Sequence, residues 1–137
     1  MQVYKAKVDK THGSTFGEAC RNASSFYLMI KKKTKRRPFV RSAYFNKEKI
    51  FLELFWRHLH EKLNHRDKLR RVRYFACAMD LIQNSHFDPL SKDNPNKASE
   101  VLHRFAGITK GGDKFFVQIK EYKKNGQKWL VSVFPDE

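Results

Sequence analysis

His103, Lys120 and Ser132, in the last third of this chain, are of types that can act together on a phosphodiester. An imidazole that titrates near neutrality can take a proton from a 2′-hydroxyl or give one to a leaving oxygen. A lysine or arginine, here Lys120 or Arg104, can steady the charge that builds on the phosphate. A serine hydroxyl can hydrogen-bond the phosphate or orient the histidine. Taken one at a time these are ordinary residues: a surface lysine, a strand serine, a half-buried histidine. Gathered on one open face of a sheet, they would suit cleavage of RNA without a metal ion.

For these side chains to meet, the segments that carry them must pair. Residues 101–109 read as a strand ending in the turn Lys110-Gly111-Gly112-Asp113, and 114–122 as a second strand. Lys123 to Gln127 is a hairpin turn marked by Asn125-Gly126, and 128–135 is a third strand. A two-residue turn would pair Ile119 with Ser132. A three-residue loop, with Gly126 in the left-handed conformation, would pair Gln118 with Ser132. Only the second aligns Phe115, Val117 and Ile119 with Trp129, Val131 and Val133, because a one-residue slip moves every side chain to the other face. Phe116, Gln118, Lys120, Leu130, Ser132 and Phe134 are then expected to share a half-polar face. The first strand adds either His103 or Arg104 to it, since neighbours point to opposite sides.

The string His103-Arg104-Phe105-Ala106-Gly107-Ile108-Thr109, then Phe115-Phe116-Val117-Gln118-Ile119, then Ser132-Val133-Phe134-Pro135 resembles the C-terminal part of small phage and mobile-element nucleases of the barnase–EndoU–colicin–RelE-like group. The likeness covers about the last third of the chain, with a weaker echo in the helices before it. It implies helices preceding an antiparallel sheet whose exposed face cuts RNA. It also implies that His103 and Ser132 are catalytic, in a toxin of a toxin–antitoxin pair or a phage-borne effector. Lys120 and Arg104 join them on charge and position, not on a motif.

Upstream, residues 46–87 are expected to form a helical hairpin. Asn46 would cap a helix over 47–63, with Phe51, Phe55, Leu59 and Leu63 on its apolar face. A second helix over 67–84 turns Val72, Phe75, Ala76, Met79, Ile82 and Gln83 inward and stacks Arg66, Arg70 and Arg73 outward. Residues 84–99 are rich in turn formers and read as a loop. Residues 1–45 read as a basic N-terminal extension, with strands at 26–30 and 38–45 flanking the run Lys31-Lys32-Lys33-Thr34-Lys35-Arg36-Arg37. The lysines and arginines of that run, with Arg41, Arg66, Arg70, Arg73 and Lys110, are the candidate contacts to nucleic-acid phosphates. The fold expected is α+β: one domain over 1–137, with helices packed on one face of a small antiparallel sheet.

The charge points the same way. The 137 residues carry 29 Lys+Arg against 14 Asp+Glu, a net +15. Such charge repels itself, and a polyanionic partner relieves the strain. The excess is densest in residues 1–45, with 11 basic and 2 acidic residues; residues 88–137 carry 9 and 7. Twelve Phe, five Tyr and two Trp exclude a disordered basic tail. No stretch is apolar enough to span a membrane, and the first ten residues lack an apolar signal core. His58 and His60 lie about 200° apart around a helix, so they cannot share an ion. Cys20 and Cys77 match no ligand or redox spacing. No metal or cofactor is called for. The expectation is a cytoplasmic, metal-independent RNA endonuclease. The alternatives are a non-catalytic nucleic-acid-binding module, or a protein that meets an acidic partner such as an antitoxin.

Overall fold

A computed structural model describes residues 2–11, 15–34, 37–61 and 65–136. It is α+β. In chain order the elements are β1 (Val3–Lys5), α1 (Phe16–Thr34), β2 (Phe39–Arg41), β3 (Lys49–Phe51), α2 (Glu53–Glu61), α3 (His65–Val72), α4 (Phe75–Asn84), β4 (Leu90–Asn94), β5 (Lys97–Ile108), β6 (Lys114–Tyr122) and β7 (Lys128–Pro135). The sheet runs β1-β5-β6-β7-β3-β2, with β4 also paired to β5. The expected antiparallel set is there as β5 to β7, and β4 extends it. The sheet as a whole is mixed, because β1 joins β5 in parallel and β3 joins β7 in parallel. The described β1, α1 and β2, expected to belong to an N-terminal extension, are therefore built into the fold.

The segment 26–30, read as a strand, is helical. Ala19, Ala23, Phe26, Tyr27 and Ile30 recur at helical spacing, and the two alanines are fully buried. The helix opens on Thr15, whose Oγ1 accepts from the Glu18 amide at 3.2 Å. It closes with Lys31, Lys32 and Lys33 in its last turn, where cations suit the helix dipole.

The expected helix over 47–63 begins later. Asn46 and Lys47 hold φ of 57° and 65°, a left-handed turn that brings Lys49 opposite Arg41 in the β2–β3 hairpin. Asn46 is thus a turn residue and not a helix cap. The predicted helix over 67–84 is broken into α3 and α4 at Arg73 and Tyr74. The N-terminal segment docks at the break: Arg73 O accepts from the Thr11 amide at 2.7 Å, and Arg73 Nε donates to Thr11 O at 3.2 Å. Residues 84–99, read as a loop, contain β4 and the start of β5, joined through Asn94, whose Oδ1 accepts from the Asn96 amide at 3.0 Å. β4 is polar and exposed, as suits a sheet edge.

Gln118 opposes Ser132, as expected, but a bulge and not the loop sets that register. Ile119 opposes Leu130, so β7 holds one extra residue, Val131, between the two pairs. Gly126, at φ 72°, closes the longer turn, with its amide on Tyr122 O at 2.8 Å. The bulge corrects the expected faces. Leu130 and Val133 both bury against the helical layer, while Trp129, Ser132 and Phe134 turn the other way. At Gly107 the packing leaves no room for a side chain: a Cβ there would lie 2.6 Å from Phe115 Cζ on β6 and 2.9 Å from Leu81 Cδ1 on α4. One cluster of buried side chains, including Phe75, Met79 and Leu81 from α4 and Phe115, Val117 and Leu130 from the sheet, ties the two layers together.

Candidate functional site

The cross-strand rows decide which polar residues share the open face. Arg104, Gln118 and Ser132 are opposite one another on β5, β6 and β7. His103 is opposite Ile119, which in turn faces Leu130, so it belongs to the helix-facing side. Arg104, not His103, joins the polar face. Lys120 is on that face too, one row along.

His103 is 9% exposed and fully engaged. Its Nδ1 lies 2.7 Å from Ser91 Oγ and its Nε2 lies 2.8 Å from Glu121 Oε1. The Phe45 ring packs edge-on against it at 5.0 Å. Glu121 Oε2 is 3.9 Å from Nζ of the buried Lys128, which also pairs with Glu48 Oε2 at 2.6 Å. Lys120 is likewise committed: its Nζ lies 3.5 Å from Oε2 of the buried Glu100. The expected group of His103, Lys120 and Ser132 is therefore not brought together.

The open face carries an aromatic array, and a cation lies against each of Phe116, Phe134, Trp129, Phe51, Phe39 and Tyr122. Phe116 and Phe134 sit 5.5 Å apart between centroids. The Arg104 guanidinium lies 5.7 Å and 5.3 Å from them, Lys114 lies 5.4 Å from Phe116, and Arg71 lies 5.6 Å from Phe134. Two rows along, Trp129, Phe51 and Phe39 are cross-strand neighbours. Arg37 lies 4.4 Å from both the Phe51 and the Trp129 ring, with Nε on Glu53 Oε1 at 2.6 Å. Lys49 and Arg41 lie 4.7 Å and 5.4 Å from Phe39, and Lys120 lies 4.9 Å from Tyr122. All these rings are partly exposed.

Next to Phe134 the face runs into a cleft of about 430 Å³ between α2, α3 and β7. His58, Glu61, Arg71 and Ser132 supply its polar lining, and Phe55, Leu59 and Val131 the rest. Arg71 is fixed there, donating from Nη1 to Ser132 Oγ at 2.6 Å and from Nε to Asp67 Oδ2 at 3.0 Å. His58 and Glu61 are three residues apart on α2 and share one side of it. Sequence reasoning missed this group. Arg71 falls just beside the predicted Arg66, Arg70, Arg73 stripe, and His58 was weighed only as a metal ligand with His60.

The other candidate contacts are dispersed. Lys31, Lys32 and Lys33 are exposed at the end of α1. Lys35 and Arg36 lie outside the described residues. Arg66 is exposed and Arg70 half-buried on α3, while Arg73 is spent on Thr11. Lys110 is exposed in the β5–β6 turn. Cys77 carries no nucleophile: burial first, then Asp9 and Asp80, push its thiol up to about 12, so it stays neutral. Among the described residues there is no group of three or more His, Cys, Asp or Glu that could hold a metal ion, and no helix is long and apolar enough to cross a membrane. No protein-family model, curated protein or solved structure matches this chain, so its geometry alone carries the functional reading.

Proposed function

We propose that this protein binds single-stranded nucleic acid, RNA in preference to DNA, along the open face of the sheet. The observation that carries the reading is the set of partly exposed rings on one face, each with a lysine or arginine beside it. Unpaired bases stack on such rings whatever their sequence, and the cations meet the phosphates between them. Gln118 and Ser132, between the ring rows, are polar partners suited to ribose hydroxyls. Fluorescence anisotropy with single-stranded RNA, single-stranded DNA and duplex is the test. Single strands are expected to bind best. Six phosphate contacts, from Arg37, Arg41, Lys49, Arg71, Arg104 and Lys114, predict a log–log salt slope of roughly −4. Affinity indifferent to salt, or a preference for duplex, would overturn the reading.

The cleft beside Phe134 favours a second reading, in which the bound strand is also cut. Glu61 would take the proton from a 2′-hydroxyl as that oxygen attacks the adjacent phosphorus. Arg71 would hold the charge on the phosphate, and protonated His58 would hand a proton to the departing 5′-oxygen. The products are a 2′,3′-cyclic phosphate and a 5′-hydroxyl, and DNA, lacking the 2′-hydroxyl, is not cut. Labelled RNA incubated in chelator is expected to be cleaved. His58→Ala and Glu61→Gln should each slow the reaction about 100-fold or more while binding persists. RNA left intact by the wild-type protein removes this reading and leaves the binding one standing. Cleavage lost in His103→Ala but kept in His58→Ala would move the chemistry to His103.

A further inference from the structure

At the β2 edge, α1, β2 and α4 enclose a groove of about 460 Å³ whose lining shares Phe39 and Arg41 with the sheet face and is otherwise separate from it. Phe26, Met29, Ile30, Phe39 and Val40 line it. Val40 is buried and Phe26 and Ile30 pack on the core, so the floor is rigid, while Met29 is 56% exposed at the rim. The charged residues of the lining are Lys33 and Arg41, and no carboxylate lines it. Neither cation has a carboxylate partner among the described residues. Arg41 Nη1 instead donates to Lys47 O at 3.0 Å.

We infer that this groove docks an acidic, amphipathic segment of another protein, with apolar side chains seated between Met29, Ile30 and Val40 and carboxylates facing Lys33 and Arg41. The lining chooses this occupant over nucleic acid. A base buried there would need partners for its edge donors and acceptors. The Thr34 hydroxyl is already spent on Ile30 O at 3.0 Å, leaving the Gln83 amide as the one neutral polar side chain in the lining that is still available. An aliphatic or aromatic anchor has no such groups to satisfy. The unpaired cations at the rim then select carboxylates in the flanking sequence. An apolar helix face set into a groove with charged edges is a common mode of recognition. This inference does not depend on strand binding at the sheet.

The test uses a synthetic helical peptide with Leu at i, i+3, i+4 and i+7 and Glu at the other positions, titrated against the full-length protein. Saturable binding is expected, and the same peptide with Lys for Glu should not bind. Met29→Glu, at an exposed helical position, should weaken peptide binding at least tenfold and leave single-strand binding unchanged. Lys33→Glu with Arg41→Glu should reverse the preference toward the Lys peptide. Three results would each overturn the inference. One is peptide binding absent or untouched by Met29→Glu. Another is loss of RNA affinity in that variant, which would put nucleic acid in the groove. The third is self-association of the protein that Met29→Glu abolishes, which would make a second copy the occupant.

Discussion

Replacing Phe116 and Phe134 together by alanine is expected to weaken single-stranded RNA binding about 30-fold or more. Each base stacked on an aromatic ring contributes about 1–3 kcal/mol, so two rings contribute roughly 2–6 kcal/mol, and each 1.4 kcal/mol is a factor of ten. The two rings are neighbours across β6 and β7, with Arg104 against both. Both are partly exposed, so the fold should survive their loss. The double leucine variant separates causes: it keeps much of the apolar volume and removes the π-faces. Anisotropy should show it binding nearly as poorly as the alanine pair, with a salt slope close to that of the wild type because the cations remain. Wild-type affinity in the leucine pair would mean that the rings serve packing alone.

A second large effect is expected in the helical layer. Phe75, at the start of α4, is fully buried. Its ring lies 5.2 Å from Trp56, 5.5 Å from Phe55, 6.1 Å from Phe26 and 6.2 Å from Tyr27. It therefore touches rings from both α1 and α2. Phe75→Ala removes those contacts and leaves a cavity, at a cost of about 3–5 kcal/mol. For a chain of this size that lowers the melting temperature by roughly 10 °C or more. Phe75→Leu should recover much of the loss. Thermal unfolding followed by circular dichroism reads both, and a fall of under about 3 °C for Phe75→Ala would mean that α1 does not pack here.

The parts of the fold legible in the sequence were those with a clear period. β6 and β7 alternate apolar and polar residues around an Asn-Gly turn, and the Gln118–Ser132 pair follows from that alternation. Phe55, Leu59, Val72, Phe75, Met79 and Ile82 showed their helical faces. Other elements gave too little pattern. β1, β2 and β3 are three residues each, shorter than a strand period can register. β4 is a polar edge with nothing to alternate. In α1 the buried positions are small, Ala19 and Ala23, so the large run Phe26–Ile30 drew the eye as a strand. The Thr15-x-x-Glu18 cap was the signal that would have found the helix.

The site was legible only in part, for a similar reason. Alternation put Arg104 and His103 on opposite faces but could not say which face was open, because both faces of β5 carry apolar residues. The bulge at Val131 then turned Trp129 onto the open face, one residue out of the expected phase. Arg71 became visible only when the chain broke after α3. That break lets α3 tilt its own arginine toward Ser132, an arrangement that one continuous helix over 67–84 does not predict.

The two parallel pairings of the sheet also bear on the order in which the chain can fold. Val3 to Lys5 of β1 wait for Ala106 to Ile108, and Ile50 and Phe51 of β3 wait for Lys128 and Trp129. Such long-range pairs close late. During synthesis at about 5–20 residues per second, the N-terminal strands spend roughly 5–20 s without their partners. Of these strands β7 is made after all the others, and it is the one that seats β3, through Lys128 and Trp129. A chain cut short before Lys128 would keep much of its helical sequence and lose the strand on which β3 and β6 both close.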